Sequence, residues 1–327
     1  MRVVASAPGK TILFGEHFVV KGTRAVATAL SLRARVAVEL SSESHIVIES
    51  KNLEAVWRLD LSELKAESKE AEPFVALLKA LAKRGYKIAP HRAVIESEVP
   101  IAAGLGSSAA TATAYALAYS RLLGISLSQK ELFEITLESE QVAHGRPSGI
   151  DNALATWGGT IVYRRGEEPK HVKIDLKRLS SYSFIVMDTG VKRSTKAVVE
   201  HVLKLADKNW TVMKHIYEAA DSLVSEAVKA LEEGDGERIG ELMNINHGLL
   251  TSLGASSLEL DNLVNRAKSC GALGAKLTGA GWGGSAIAVV SRDRLERVLK
   301  CVEGYAVYVK PVEIHGVAAT IEELQLR

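Results

Sequence analysis

The sequence predicts an α+β fold divided into two domains. Strand-like runs crowd the early part of the chain and helix-like runs follow, without the regular alternation of a doubly wound parallel sheet. At 327 residues the chain exceeds what one hydrophobic core usually fills, and its 47% hydrophobic content can furnish two. The polar stretch 164–181, with "RRGEEPKHVK", separates two segments that each hold strands and helices. A boundary there gives domains of residues 1–172 and 173–327.

Each element has its own signal. Residues 2–7 and 11–14 are short apolar runs, and 25–40 contains the partly alternating "LRARVAVEL", so all three read as strands. Residues 72–84 show helical periodicity and 91–99 return to strand. Helices are expected at 107–123 and 128–144, then a loop with Pro147 and Gly149, then a strand at 160–163. The second half is richer in helix, with helices expected at 194–206, within 210–233, at 237–250 and at 258–269. Its strands are expected at 184–188, 275–278, 285–290 and 305–309. No internal repeat or low-complexity tract interrupts this order.

Composition narrows the function classes. A net charge of +2 offers no polyanion-binding surface, so nucleic acid is not an expected partner. The two cysteines, Cys270 and Cys301, have no metal-ligand spacing and no disulfide framework, and are expected as buried free thiols in a reducing interior. The opening "MRVVASAPGKTILFGEH" is broken by proline, lysine and glutamate before it could act as a signal sequence. No run reaches transmembrane length. The expectation is a soluble cytoplasmic protein with no membrane partner.

Four segments carry chemistry. In "VPIAAGLGSSAATATAYALA" an apolar run passes through Gly104, Gly106, Ser107 and Ser108 into a stretch of strong helix formers. A helix start carries unpaired N–H groups and a positive dipole end, which suits a phosphate. The plainer alternative is a helix capped by Ser107 or Ser108. "PGKT" at 8–11 ends like a P-loop, but Val4 stands where that motif needs glycine, so the phosphate cradle is not there. The same segment does offer a cation, Lys10, followed by Glu16 and His17, although a solvated surface turn would look no different. In "ESEQVAHGRPSGIDNALATWGG" the helix can carry Glu140 towards a metal, and Pro147 and Gly149 then present Asp151 on a turn. Asp151 is a base or a charge partner for Lys10, or with Asn152 merely caps a short helix. In "KLTGAGWGGSAIAVV" the glycines at 279, 281, 283 and 284 are too many for a two-residue hairpin and suggest close backbone approach, the alternative being a long flexible hairpin.

These segments, in this order, resemble the GHMP small-molecule kinases, whose signature is an N-terminal "PGK…GEH", a central "GLGSSAA" and a C-terminal "GAGxGG". "APGKTILFGEHFVVKG", "HGRPSGIDNALATWGG" and "DTGVKRSTKAVVEHV" are most similar to the branch that phosphorylates mevalonate, and the likeness runs essentially end to end. It implies an N-terminal domain like the second domain of ribosomal protein S5 and a sandwich-like C-terminal α+β domain, with ATP and substrate between them. The implied reaction is transfer of the ATP γ-phosphoryl to the primary 5-hydroxyl of mevalonate, an early step of isoprenoid synthesis, by a homodimer. Carried over residue by residue, Asp151 is the catalytic carboxylate and Lys10 its cationic neighbour. Ser108 and Glu140 are Mg²⁺ ligands, and Ser97, Gly104, Leu105, Gly106, Ser107, Ser108, Ala109, Gly279 and Gly281 hold the nucleotide. Glu16, His17, Arg193 and Thr195 face the substrate. Trp282 and Ser285 depart from the branch, which often has glycine and cysteine there. "GEHFVV" in place of the galactokinase "GEHTDY" argues against a sugar. Another small alcohol is the alternative substrate, and a non-catalytic ligand sensor the alternative class.

Overall fold

The first strand is longer than its sequence suggests. The computed structural model describes residues 2–66, 68–101, 103–144 and 148–325; Pro147 lies outside them. The two short strands expected at 2–7 and 11–14 are one, β1 (Arg2–Phe14), running through Pro8 and Gly9. Its register against β2 (Arg24–Leu40) shifts between Pro8 and Lys10 and again between Ile12 and Phe14. A proline has no N–H for the ladder, and these irregularities let the strand carry one. On β2 the residues Leu30, Leu32, Ala34, Val36 and Val38 are buried in the two-residue rhythm of a sheet with one face on a core.

The first sheet continues with β3 (His45–Ser50), β4 (Ala55–Asp60) and β5 (Lys65–Ala66), then β6 (His91–Ser97), β7 (Thr160–Arg164) and β8 (Lys170–His171). The β3–β4 hairpin was not anticipated, although Ile46 and Ile48 alternate with more exposed neighbours. Helices α1 (Glu72–Lys83), α2 (Ser107–Leu122), α3 (Gln129–His144) and α4 (Ile150–Trp157) belong to this half, and α2 is buried along most of its length. Its alanines let the backbone approach the sheet, and Tyr115 and Tyr119 fill the space beyond.

The second half begins with α5 (Leu176–Leu179) and β9 (Tyr182–Asp188) and continues through α6 (Thr195–Lys208), α7 (Trp210–Glu233), α8 (Gly236–Ser252) and α9 (Leu258–Cys270). Strands β10 (Gly274–Leu277) and β11 (Ser285–Ser291), helix α10 (Leu295–Val302) and strand β12 (Tyr308–Val312) complete it. The four strands form an antiparallel sheet in the order β10-β11-β9-β12. The chain then crosses back, and β13 (Thr320–Gln325) pairs antiparallel with β1 at the edge of the first sheet. Neither α10 nor β13 was expected.

The halves share apolar packing: one buried cluster joins Leu13, Phe14, Leu30, Val99 and Leu105 to Phe184, Val186, Leu223, Ile287 and Val312. A bidentate pair reinforces it, Arg24 donating to both carboxylate oxygens of Asp221 at 3.0 and 2.6 Å. One expectation is overturned. Cys270 and Cys301 are not free thiols but a disulfide that ties the end of α9 to α10, with Cα atoms 6.0 Å apart. Their separation of 31 residues carries no pairing signal; the packing of the two helices brings them together. Among the described residues, no helix is long and apolar enough to cross a membrane.

Candidate active site

Between the halves lies a cleft of about 1200 Å³, and fourteen of the sixteen expected site residues line it. They are Lys10, Glu16, His17, Ser97, Gly104, Leu105, Gly106, Ser107, Ser108, Glu140, Asp151, Arg193, Thr195 and Gly279. Ala109 and Gly281 are not among the lining residues. Ala109 is buried in the first core, and Gly281 packs against the backbone of the turn after α8.

The foot of α2 is built for close approach. Its N-cap is Gly106, left-handed at φ 74°, and no side chain caps the helix, so neither Ser107 nor Ser108 takes that role. A β-carbon on Gly106 would meet Lys10 Cγ at 2.8 Å, and Lys10 N–H donates to the Leu105 carbonyl at 2.8 Å. The glycine loop therefore rests on the lysine. The first-turn N–H groups of α2 and the positive end of its dipole open towards the cleft beside a cation.

Lys10 Nζ lies 3.1 Å from Asp151 Oδ1, with the lysine side chain 10% and the aspartate 30% exposed. Asp151 sits in the first turn of α4, whose N-cap is again a left-handed glycine, Gly149, with no side-chain cap. Asp151 does not cap the helix from outside but projects from its start. Glu140, near the end of α3, is buried, and its Oε2 has no hydrogen-bond partner among the described residues. Burial and the neighbouring Asp151 charge push its pKa up to about 7, against the pull of Lys10 and the Asn152 amide. A buried carboxylate oxygen without a partner suits a cation. No group of three or more His, Cys, Asp or Glu among the described residues could hold a metal alone. A cation here would need the Ser108 hydroxyl and oxygens brought by phosphate and water, the coordination magnesium favours.

At the other end, the "GEH" turn is fixed from the C-terminal half. Fully buried Lys276 pairs with Glu16 Oε1, and Asn246 donates to Glu16 Oε2 at 3.1 Å. Both oxygens of Glu16 are thus engaged inside the protein. Burial pushes the Lys276 ammonium below its usual pKa, opposed by Glu16. His17, left-handed at φ 61°, donates through Nε2 to the Ala280 carbonyl at 2.7 Å. Burial lowers its pKa, so the ring is neutral and Nδ1 is an acceptor. The next residue, Phe18, is fully buried and meets Tyr217 edge to face at 5.1 Å.

The last glycine loop is packed rather than flexible. A β-carbon on Gly281, at φ 85°, would fall 1.8 Å from the Ala255 carbonyl oxygen. The Arg193 guanidinium lies between this loop and the central one: a β-carbon on Gly104 would come within 3.1 Å of it and one on Gly284 within 2.6 Å. Asp188 supports the same loop, accepting from Ser285 Oγ at 2.8 Å and from Gly190 N–H at 2.6 Å. Thr195 opens α6, capped by Ser194.

Sequence reasoning missed several partners. Thr278 donates to the Ile12 carbonyl at 3.0 Å and accepts from Thr11 at 2.8 Å, bracing the strand of Lys10 against the last glycine loop. Its place beside "GAG" was a signal. Asn52 pairs its amide with both backbone groups of Ser97, at 2.7 and 2.8 Å, and nothing in "SKNLEA" announced it. Trp57, Phe74, Ile95 and Ile101 form an apolar wall of the cleft.

Comparison with known proteins adds to this geometry. The chain matches the GHMP kinases N terminal domain over residues 72–159 and the GHMP kinases C terminal domain over 227–306. It is 48% identical to a mevalonate kinase of Aeropyrum pernix, over 91% of each chain. It is 37% identical to one of Pyrococcus furiosus, covering 90% of this chain and 91% of that one. Its structure is similar to the Methanococcus jannaschii mevalonate kinase, with TM-score 0.85 and 28% identity over 96% and 98% of the two chains. The L. major mevalonate kinase in complex with R-mevalonate gives TM-score 0.82 and 28% identity over 96% and 95%.

Proposed function

The chain belongs to the GHMP kinase family, in its mevalonate kinase branch, and from that premise we propose how its own residues carry the reaction. It transfers a phosphoryl group from ATP to mevalonate. The nucleotide phosphates lie at the foot of α2, cradled by residues 104–108 and approached by Gly279, with the base against the apolar wall near Ser97 and Asn52. Mevalonate lies towards His17, Arg193 and Thr195, its carboxylate facing cationic and hydroxyl donors and its methyl the apolar side of the cleft. Glu16 holds the turn that presents His17.

The observation that carries this reading is the Lys10–Asp151 pair, 3.1 Å apart beside an uncapped helix start. Phosphoryl transfer passes through a loose transition state, so most catalysis comes from positioning and from stabilising charge. Asp151 accepts the hydrogen bond of the attacking hydroxyl and orients it. Lys10 holds Asp151 in place and favours the alkoxide that develops. Ser108 and Glu140 would hold Mg²⁺, which supplies charge neutralisation on the phosphates when bound. The unpartnered Glu140 oxygen supports that assignment.

An Asp151→Asn protein tests it. The amide fits the same space but cannot accept the hydroxyl proton, so kcat should fall at least about 100-fold while ATP binding by calorimetry stays within about three-fold. Turnover near the parent level would remove Asp151 from the mechanism. The proposed homodimer is checked by light scattering, where a single species of monomer mass would contradict it.

A further inference from the structure

Trp282 occupies the middle of the last glycine loop in a conformation that suits glycine. Its φ is 55°, in the left-handed region, where a bulky side chain persists only if its surroundings hold it. Three contacts do so. Its backbone N–H donates to the Ala255 carbonyl at 3.0 Å. Its indole Nε1–H donates to the Gly254 carbonyl at 2.8 Å. Its ring lies 4.9 Å from the ring of His201 on α6, the helix that opens with Thr195. The indole thus ties the loop to the turn after α8 and to the helix that carries the substrate side of the cleft. Gly281 lies flat on the same turn, so the loop has no slack at this point.

We propose that Trp282 is a positioning residue for nucleotide binding: its indole replaces loop flexibility with a fixed strut that sets Gly279 and Ala280 at the cleft wall. Trp282 is not among the residues lining the cleft, so it acts through the loop. Ala280 in turn accepts from His17, so the strut also fixes the acceptor that orients this ring. The inference rests on the reading that Gly279 and Ala280, at the cleft wall, approach the nucleotide.

Two variants separate the outcomes. Trp282→Phe keeps a ring beside His201 but removes the N–H donor, and Trp282→Gly relieves the backbone while removing the strut. The expected result is a KM for ATP raised about five-fold in Trp282→Phe, the worth of one ordinary hydrogen bond, and more in Trp282→Gly. The KM for mevalonate should rise by less than the KM for ATP, because the strut reaches His17 only through Ala280, both read well below the melting temperature of each variant. If either variant is only less heat-stable, with its KM for ATP within about two-fold of the parent, the strut has no role in binding and the proposal falls. Gly279→Ala tells this apart from failure of the underlying reading. If it raises the KM for ATP while both Trp282 variants do not, only the strut is wrong. If all three leave the KM unchanged, the loop does not serve the nucleotide.

Discussion

Two lysines of this chain pair with carboxylates in opposite surroundings, Lys10 at the cleft and Lys276 in the interior. Lys10 stands in a glycine-bearing motif on β1 and pairs at 3.1 Å with Asp151 in the first turn of α4, and both motifs are plainly marked in the sequence. Lys276 stands in the apolar strand "GAKL", where a lysine ordinarily points to water; its partner Glu16 is 260 residues away. Nothing local encodes such a pair. Removing one partner of a buried pair strands the other charge, at a cost of about 3–5 kcal/mol, whereas replacing both with apolar groups of similar volume is often nearly neutral. Lys276→Met should therefore lower the urea midpoint sharply, and Lys276→Met with Glu16→Leu should recover much of the loss. A single variant as stable as the parent would show that the pair does not hold the turn.

At the scale of elements, strand β6 and helix α2 meet through His91. Its ring stacks on Tyr119 at 4.0 Å. Nδ1 lies 2.9 Å from the Ala89 carbonyl, so it carries the proton, and Nε2 accepts from Tyr115 OH at 2.6 Å. Burial lowers the pKa of this histidine to about 4, well below its ordinary value of 6.5. Between those values the unfolded chain binds a proton that the folded one refuses, so stability falls as pH drops from 6.5 towards 4. The loss amounts to about 3 kcal/mol. Denaturant titrations across that range should show it, and His91→Asn, which keeps an acceptor but does not titrate, should flatten the curve. Parallel curves for the two proteins would mean that other groups govern acid unfolding. The strand and the helix were both legible from periodicity; the histidine between them was not, because its ring partners, Tyr115 and Tyr119, are more than twenty residues away on α2. The β3–β4 hairpin and α10 escaped for a related reason: both are short, and their signal lies in packing rather than in turn chemistry.

At the scale of the whole molecule, the cleft exists because the chain crosses between halves more than once. β1 carries Lys10 and runs directly into the "GEH" turn, which the C-terminal half holds through Tyr217 on Phe18 and through Lys276 and Asn246 on Glu16. The central and last glycine loops come from different halves and meet across Arg193. The α+β class and the site motifs could be read from sequence because each glycine loop announces a backbone requirement locally. The return of β13 to the first sheet, the core shared between the halves and the Cys270–Cys301 disulfide could not, since they depend on long-range packing alone. In this cleft the primary hydroxyl of mevalonate is phosphorylated. The direct measurement offers Mg·ATP with mevalonate, phosphomevalonate, galactose and homoserine, follows ADP release, and assigns the product by phosphorus NMR. The expected result is turnover on mevalonate alone, with phosphorus on the 5-oxygen. Turnover on a different alcohol, or phosphorus at another position, would contradict it.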